Sequence, residues 1–430
     1  MNETSPVNPY AAPSPAVTAE VLAQQRSLTY SLGLIALLAV NFGIVFFDRN
    51  ALSFLMPFVQ PELKLSNIEV GMLASALSLT WAFAAFGVGV VADATGRHKA
   101  GLVVATLLFS ACSFLSGIAA SFVALLGARL LMGVAEGGVM PISQALVAAE
   151  VPPARRGLAM GVTQNFGSNL LGSFVAPVLL TAFALAHGWR SSFFLAGLPG
   201  LVMALLIALY VRNPRLEAAG PARSHVPAMS WSAALAERNV IICALLCVLL
   251  VSYLVVCWAF MPLYLTQVRH FDPQTESWLM GTLGISATLG AFVVSGLSDY
   301  VGRRPMVIIM TLIGTLLPLG AMYFHGSAWA LAGIFFIGWG LNGVCPLTMA
   351  TIPSESVDPH HRAAALGLCM GAGELLGGVL SPSLAGYAAY QVGLVAALWI
   401  MLGLAVAAAG LAFLLRETAP AVLARDAVAS

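Results

Sequence analysis

The 430-residue sequence predicts an all-α membrane protein: twelve transmembrane helices arranged as two pseudo-symmetric six-helix bundles. Three observations predict it. Hydrophobic residues form 60% of the chain and charged residues only 9%, whereas soluble domains carry about 25% charged residues. Apolar stretches of roughly 20 residues, the length that crosses a bilayer as a helix, recur twelve times along the chain. Two polar motifs also return at one constant offset, so that the second half copies the first.

Residues 1–26 are polar and rich in Pro, Ala and Ser, with neither the basic start nor the apolar core of a signal peptide. They read as a disordered cytoplasmic tail ahead of a first helix that inserts the protein without cleavage. The first bundle, 27–212, holds spans at 28–58, 67–91, 100–119, 122–149, 157–186 and 190–211. A polar linker follows at 213–237. The second bundle, 238–416, holds spans at 239–267, 275–298, 305–324, 328–352, 363–389 and 393–415. A cytoplasmic tail, 417–430, closes the chain.

Charge placement tests the count. With both termini cytoplasmic, fourteen Lys and Arg residues fall on the inner side, among them Arg97, Lys99, Arg303, Arg304 and Arg362. Only Lys64, Arg190 and Arg269 fall outside, while Arg49 and Arg129 stay within spans. That segregation follows the positive-inside rule for an even number of helices and predicts a multi-pass protein of the inner membrane.

The repeat is explicit. Asp93, Gly96 and Arg97 in GVVADATGRHK recur as Asp299, Gly302 and Arg303 in SGLSDYVGRR, and Arg156 and Gly161 recur as Arg362 and Gly367. All of these pairs share an offset of 206 residues. Parallel six-helix halves with a site near the bilayer midplane are a transporter design. Nothing supports the rival classes. A sensor would need a soluble output domain, no HExxH, GxSxG or P-loop spacing supports enzymatic chemistry, and no basic run suits a nucleic-acid partner. Cys112, Cys243, Cys247, Cys257, Cys345 and Cys369 sit in apolar stretches with no CxxC and read as small core residues, so no metal or cofactor is expected.

Four ionisable residues interrupt the first half: Asp48 and Arg49 in span one, Arg129 and Glu136 in span four. Charges at membrane depth mark substrate or proton pathways unless they merely staple helices together. Arg129 and Glu136 are two turns apart, about 10.5 Å along the helix axis, on one face. They are too distant for a simple mutual pair. Gly133, Gly137 and Gly138 keep that helix slim for a neighbour or a substrate. Asp48 and Arg49 diverge by about 100°, which suits Arg49 facing the cavity and Asp48 pairing with a neighbouring helix through Arg129. An arginine offers a permanent charge and a fork for a carboxylate or phosphate. Arg49 is therefore the first candidate for holding an anionic substrate and Arg129 the second, with the staple more competitive for Arg129. Glu136, with Asp48, is the proton-coupling candidate.

The second half lacks this set, with Phe335 opposite Arg129 and Asn342 opposite Glu136. Its contribution reads as substrate shape, through Asn342, Tyr253 and Trp258. Glu374, alone in span eleven, could be a second proton site, a substrate-binding group or a counter-ion for Arg49. Gln164 in span five is a further substrate-binding candidate.

The loop G-x-x-x-D-x-x-G-R-x-K and its copy resemble the signature of the major facilitator superfamily, with Ser295 a departure in the second copy. The stretches Phe47–Ser53 and Arg129–Pro141 are similar to the anion:cation symporter family, which carries sugar acids and other carboxylates and includes sialin-type carriers. Spinster-like lipid transporters share these patterns. The resemblance implies alternating access between the bundles, proton coupling at Asp48 and Glu136, and a substrate contact at Gln164. Asp93, Gly96, Arg97, Asp299 and Arg303, partnered by Glu150 and Glu355, would make the inner gate. The expected function is proton-driven uptake of an organic anion, such as a sugar acid or aromatic acid, by a monomer whose partners are the substrate, protons and the lipid bilayer. The alternative is proton-coupled export of a lysolipid or amphiphilic drug.

Overall fold

The computed structural model describes residues 15–151, 155, 159–212, 237–358 and 361–429. Among them are twelve helices long and apolar enough to cross a membrane. In the first bundle these are α1 (Pro15–Leu63), α2 (Asn67–Thr95), α3 (His98–Ile118), α4 (Phe122–Glu150), α5 (Ala159–His187) and α6 (Trp189–Tyr210). The second bundle comprises α7 (Arg238–Val268), α8 (Pro273–Val301), α9 (Arg303–Tyr323), α10 (Ala328–Ser356), α11 (Ala364–Val392) and α12 (Val395–Ala412). A short α13 (Pro420–Ala429) follows within the expected tail.

One boundary differs from expectation. Residues 15–26 are helical and continue into α1, whereas 1–14 lie outside the described residues. The reason is local: AVTAEVLAQQR is rich in strong helix formers and follows a proline at the first helical position. Of the expected linker, 213–237, residues 213–236 also lie outside the described residues, as does Arg156.

Helix ends are set by ordinary capping chemistry. Ser66 and Glu69 form a reciprocal capping box at the start of α2. Asp272 caps α8 ahead of Pro273, and its hydrogen bonds from Thr275 hold its carboxyl below the usual carboxylate range. Gly96 closes α2 at φ +65° and Gly302 closes α8 at φ +112°. Gly188 and Gly393 likewise share positive φ between α5 and α6 and between α11 and α12. The duplication thus extends to backbone conformations that favour glycine.

Each bundle brings its first and last helices together at one end. The Arg212 amide donates to the Tyr30 hydroxyl at 3.0 Å, and Arg212 stands over the Tyr30 ring. Asn239 exchanges two hydrogen bonds with the backbone of Arg416, at 2.9 and 3.2 Å. That end, which carries the inter-bundle connection, is the linker face; the opposite end is the far face.

The bundles meet in their far-face halves. Gln267 donates to Gln60 at 2.8 Å, Asn67 donates to the Ala389 carbonyl at 3.1 Å, and the Ser75 and Ser383 hydroxyls are 2.8 Å apart. All three lie in the far-face halves of the helices that carry them. Phe54 of α1 meets Trp258 of α7 edge-on at 5.7 Å, adding an aromatic plug on the far side of the midplane.

Besides α9, which breaks at Gly314–Thr315, four helices lose regular geometry inside their spans. A turn breaks α4 at Gly138, and α10 narrows to a 3-10 stretch at Gly340–Val344. Two wider π stretches occupy α5, at Val162–Phe166 and Ser168–Val175, and one occupies α11 at Gly373–Gly378. The symmetry-related pairs α4/α10 and α5/α11 are thus irregular at matching depths. Such interruptions concentrate at functional sites and free backbone groups to face a cavity.

The slim face of α4 receives a neighbour. A Cβ added at Gly133 would press on Thr80 Oγ1 and stand 2.5 Å from the Leu77 carbonyl, and one at Gly137 would meet the Trp81 carbonyl at 2.7 Å. Gly133→Val should therefore overpack the α2–α4 seam at a cost of about 1–3 kcal/mol or more. Purified in detergent, this variant is expected to melt at a clearly lower temperature than wild type. An unchanged melting curve would refute close packing at this seam.

Candidate functional site

Asp48 and Arg49, adjacent on α1, separate into different environments. Asp48 is fully buried, while Arg49 is half-buried. Its guanidinium stands 5.6 Å from the Phe46 ring centroid and 5.3 Å from that of Trp81, so two aromatic rings hold the charge without occupying its hydrogen-bonding fork.

The expected pairing of Asp48 through Arg129 is not what forms. Ser113 Oγ of α3 lies 2.6 Å from Asp48 Oδ1 and 2.8 Å from the Phe193 carbonyl of α6, while Oδ2 has no partner. One hydroxyl proton cannot serve two acceptors. With Asp48 protonated the chain is complete, Asp48 donating to Ser113 and Ser113 to Phe193. Arg129 instead donates Nη1 to the Arg49 backbone carbonyl at 3.0 Å, joining α4 to α1. Its Nε and Nη2 have no partner, and it is only 2% exposed, so it is not open to a substrate in this conformation.

Glu136 lies near the middle of α4, just before the break at Gly138, and is fully buried with both carboxyl oxygens unpartnered. The charged groups whose fields reach it are Arg49, Asp48 and Arg129. Across the space between bundles, Glu374 sits half-buried in the π stretch of α11, and the field of Arg49 reaches it too. Arg49 is therefore within electrostatic reach of one carboxylate on its own bundle and one on the other.

The remaining expected residues divide. Gln164 is half-buried in the π stretch of α5, its carbonyl accepting from Ser168 at 2.6 Å. Asn342 is half-buried in the 3-10 stretch of α10. Trp258 is partly exposed and stands edge-on to both Phe54 and Trp339. Tyr253 is a correction. It is buried, and its hydroxyl donates to the Gly314 carbonyl at 2.7 Å, where α9 loses its regular ladder. In this conformation the phenol satisfies an interrupted helix and is closed to a substrate.

At the expected gate, Arg303 pairs with Asp299 at 2.6 Å and with Glu355 at 3.1 Å, all within its own bundle. Arg97 is exposed, the Gly96 amide caps α2 through the Ala92 carbonyl, and the Asp93 side chain lies outside what is described. The Glu150 carbonyl accepts from Ser31 at 2.9 Å. In this conformation the two gate loops make no described hydrogen bond or ion pair with each other.

Sequence reasoning missed three groups. Glu276, in the first turn of α8, is fully buried with both oxygens unpartnered; its sequence position suggests an ordinary helix-end acid. Glu417 accepts hydrogen bonds from the Arg303 and Arg304 amides and so caps α9. Ser113 carried no signal, being one of several serines in α3.

Twelve spanning helices in two related bundles, with charges gathered at their midplane, define a membrane transporter rather than an enzyme. The chain belongs to the Major Facilitator Superfamily, which it matches over residues 38–368 and 255–429. It is 28% identical over 351 residues to a probable 4-methylmuconolactone transporter of Cupriavidus pinatubonensis, an alignment covering 78% of this chain and 80% of that protein. It is 27% identical over 395 residues to the hexuronate transporter of Bacillus subtilis, covering 84% of this chain and 89% of the other. Among solved structures it resembles a bacterial homologue of the human lysosomal transporter Spinster, inward-facing and unoccupied. There the TM-score is 0.73 at 18% identity, covering 90% of this chain and 96% of that one.

Proposed function

We propose that the protein takes up an organic carboxylate, such as a sugar acid or an aromatic acid, together with protons across the cytoplasmic membrane. The observation that carries this reading is Arg49: a half-buried arginine at mid-depth, its guanidinium held by two rings and its fork open, with one carboxylate of each bundle within electrostatic reach. A free guanidinium fork in a low-dielectric cavity favours a bidentate anion. The relatedness to a hexuronate transporter supports a carboxylate.

The bundles rock about the site. In this conformation the inter-bundle hydrogen bonds Gln267–Gln60, Asn67–Ala389 and Ser75–Ser383 close the far-face side, which supports a cavity open toward the linker face, with that face cytoplasmic. The positive-inside distribution supports that orientation. Arg49 holds the substrate carboxylate, while Asp48 and Glu136 carry the protons. Rocking inward brings water to Glu136, and substrate and proton leave together. Gln164, Asn342 and Trp258 shape the remaining cavity wall. The gradient supplies the driving force, so no cofactor enters the cycle, and one monomer holds the whole pathway.

The test is proton flux in proteoliposomes. Glucuronate, benzoate and succinate are offered in turn beside a lysophospholipid, with and without sodium. A carboxylate that alkalinises the outside medium in the absence of sodium is the expected result. Carboxylate uptake that needs sodium would overturn proton coupling. Activity on the lysophospholipid alone would overturn the anion assignment.

A further inference from the structure

We propose that Glu374 is the counter-ion that lets the empty carrier return: its carboxylate neutralises Arg49 when no substrate is bound, and the substrate carboxylate takes its place in the loaded crossing. This rests on the organic-anion reading of the same site.

The placement is specific. Gly373 and Gly377 seat the π stretch of α11 against α7, where an added Cβ would stand 3.2 Å from Cys247 Cβ and 2.7 Å from the Val248 carbonyl. On its other side the stretch meets α2. A Cβ at Gly378 would lie 3.2 Å from Glu374 Oε2 and 3.5 Å from Ser78 Oγ, which puts the carboxylate at the seam between bundles. Just beyond it toward the far face, Ser75 and Ser383 already close that seam. Among the described residues Glu374 makes no hydrogen bond or ion pair, so it holds no static contact in this open state. Ser78 of α2 approaches it, and Trp81, one turn further along α2, carries the Arg49 guanidinium 5.3 Å from its ring centroid, while Cys247 of α7 lies behind Gly373.

Rigid-body geometry separates Glu374 from the other acids. Asp48 and Glu136 belong to the bundle that carries Arg49, so rocking leaves their relation to it unchanged. Glu374 belongs to the opposite bundle, and its separation from Arg49 changes with every crossing. It is therefore the acid of this site that can report on bundle closure. Asp48 and Glu136 return deprotonated, yet neither pairs with the Arg49 fork, so the fork crosses the occluded state without a bound partner unless closure brings Glu374 to it. With substrate bound, a proton taken from the cavity water neutralises Glu374 and is returned to water on the other side, so two carboxylates never share one guanidinium.

The experiment compares Glu374→Gln with wild type in proteoliposomes, using glucuronate and benzoate as probes. The amide mimics the neutral, loaded form and cannot serve the empty return. Substrate-for-substrate exchange is expected to continue near the wild-type rate, while net proton-driven uptake falls at least about ten-fold. Glu374→Asp, which keeps the charge on a shorter arm, should retain more net uptake than Glu374→Gln and serves if the amide variant is poorly folded. Net uptake by Glu374→Gln at the wild-type rate, or equal loss of exchange and uptake in a monodisperse variant, would overturn the counter-ion role while leaving symport intact. If neither probe moves in wild type or is exchanged, the organic-anion reading itself has failed.

Discussion

Arg49→Ala is expected to abolish carboxylate transport, in exchange as well as in net uptake. Its guanidinium makes no described ion pair, and its neighbours are the faces of Phe46 and Trp81. Removing it therefore leaves no protein carboxylate stripped of a bound partner, and the fold should lose only the rings' cation–π contribution, about 0.5–1 kcal/mol at each. The substrate, by contrast, loses the charge that draws it from water. Truncating one partner of a buried hydrogen-bonded charge pair costs about 2–5 kcal/mol, which corresponds to roughly 30- to several-thousand-fold in affinity. Arg49→Lys separates charge from geometry. An ammonium keeps the positive field but not the planar fork, so weakened binding with measurable transport is expected. The measurement is exchange of radiolabelled glucuronate or benzoate, with size-exclusion elution and melting temperature as folding controls. Wild-type exchange by Arg49→Ala would remove this residue from the substrate path.

That the chain yields twelve spans so directly has a physical cause: the bilayer imposes length and apolarity on every span, and positive charges segregate to one face. The same pressure exposed Asp48, Arg49, Arg129, Glu136 and Glu374, because an ionisable residue is conspicuous in an apolar run. What the sequence could not carry was direction. Span seven holds several aromatic residues, but only the fold shows that Tyr253 turns to a carbonyl of α9 while Trp258 remains at the bundle seam. Nor does sequence reveal which neighbour an acid meets. The Ser113 hydroxyl beside Asp48 depends on how α3 packs between α1 and α6. Glu276 was hidden because a carboxylate in a first helical turn has an ordinary explanation, and its complete burial arises only from the helices packed around it. The mid-depth breaks in α4 and α10 follow from backbone geometry at Gly138 and Gly340–Val344, which a hydropathy window averages away.

Glu136→Gln is expected to uncouple transport from the proton gradient while sparing exchange. The glutamate is sealed from water, and neither oxygen meets a donor, although Arg49 and Arg129 lie within electrostatic reach. Such a group can gain or lose a proton only when movement of the bundles brings water to it, which is what proton coupling requires. The amide has nearly the same shape and no titration, so it freezes the site in its protonated form. The variant should bind and exchange glucuronate or benzoate at near wild-type rates, yet fail to accumulate either against a gradient when the outside is acidified. The loss in gradient-driven accumulation should be the larger of the two effects, because a removed proton site abolishes the thermodynamic link rather than weakening it. Asp48 sets the control. Its Ser113–Phe193 chain joins α3 and α6, whereas the Arg49 fork stands beside Phe46 of α1 and Trp81 of α2, so any residual pH response in Glu136→Gln should disappear when Asp48→Asn is added. Exchange that still required a pH gradient in the Glu136→Gln single variant would mean that the proton travels by another route, and would return Glu136 to the role of a buried neighbour of Arg49.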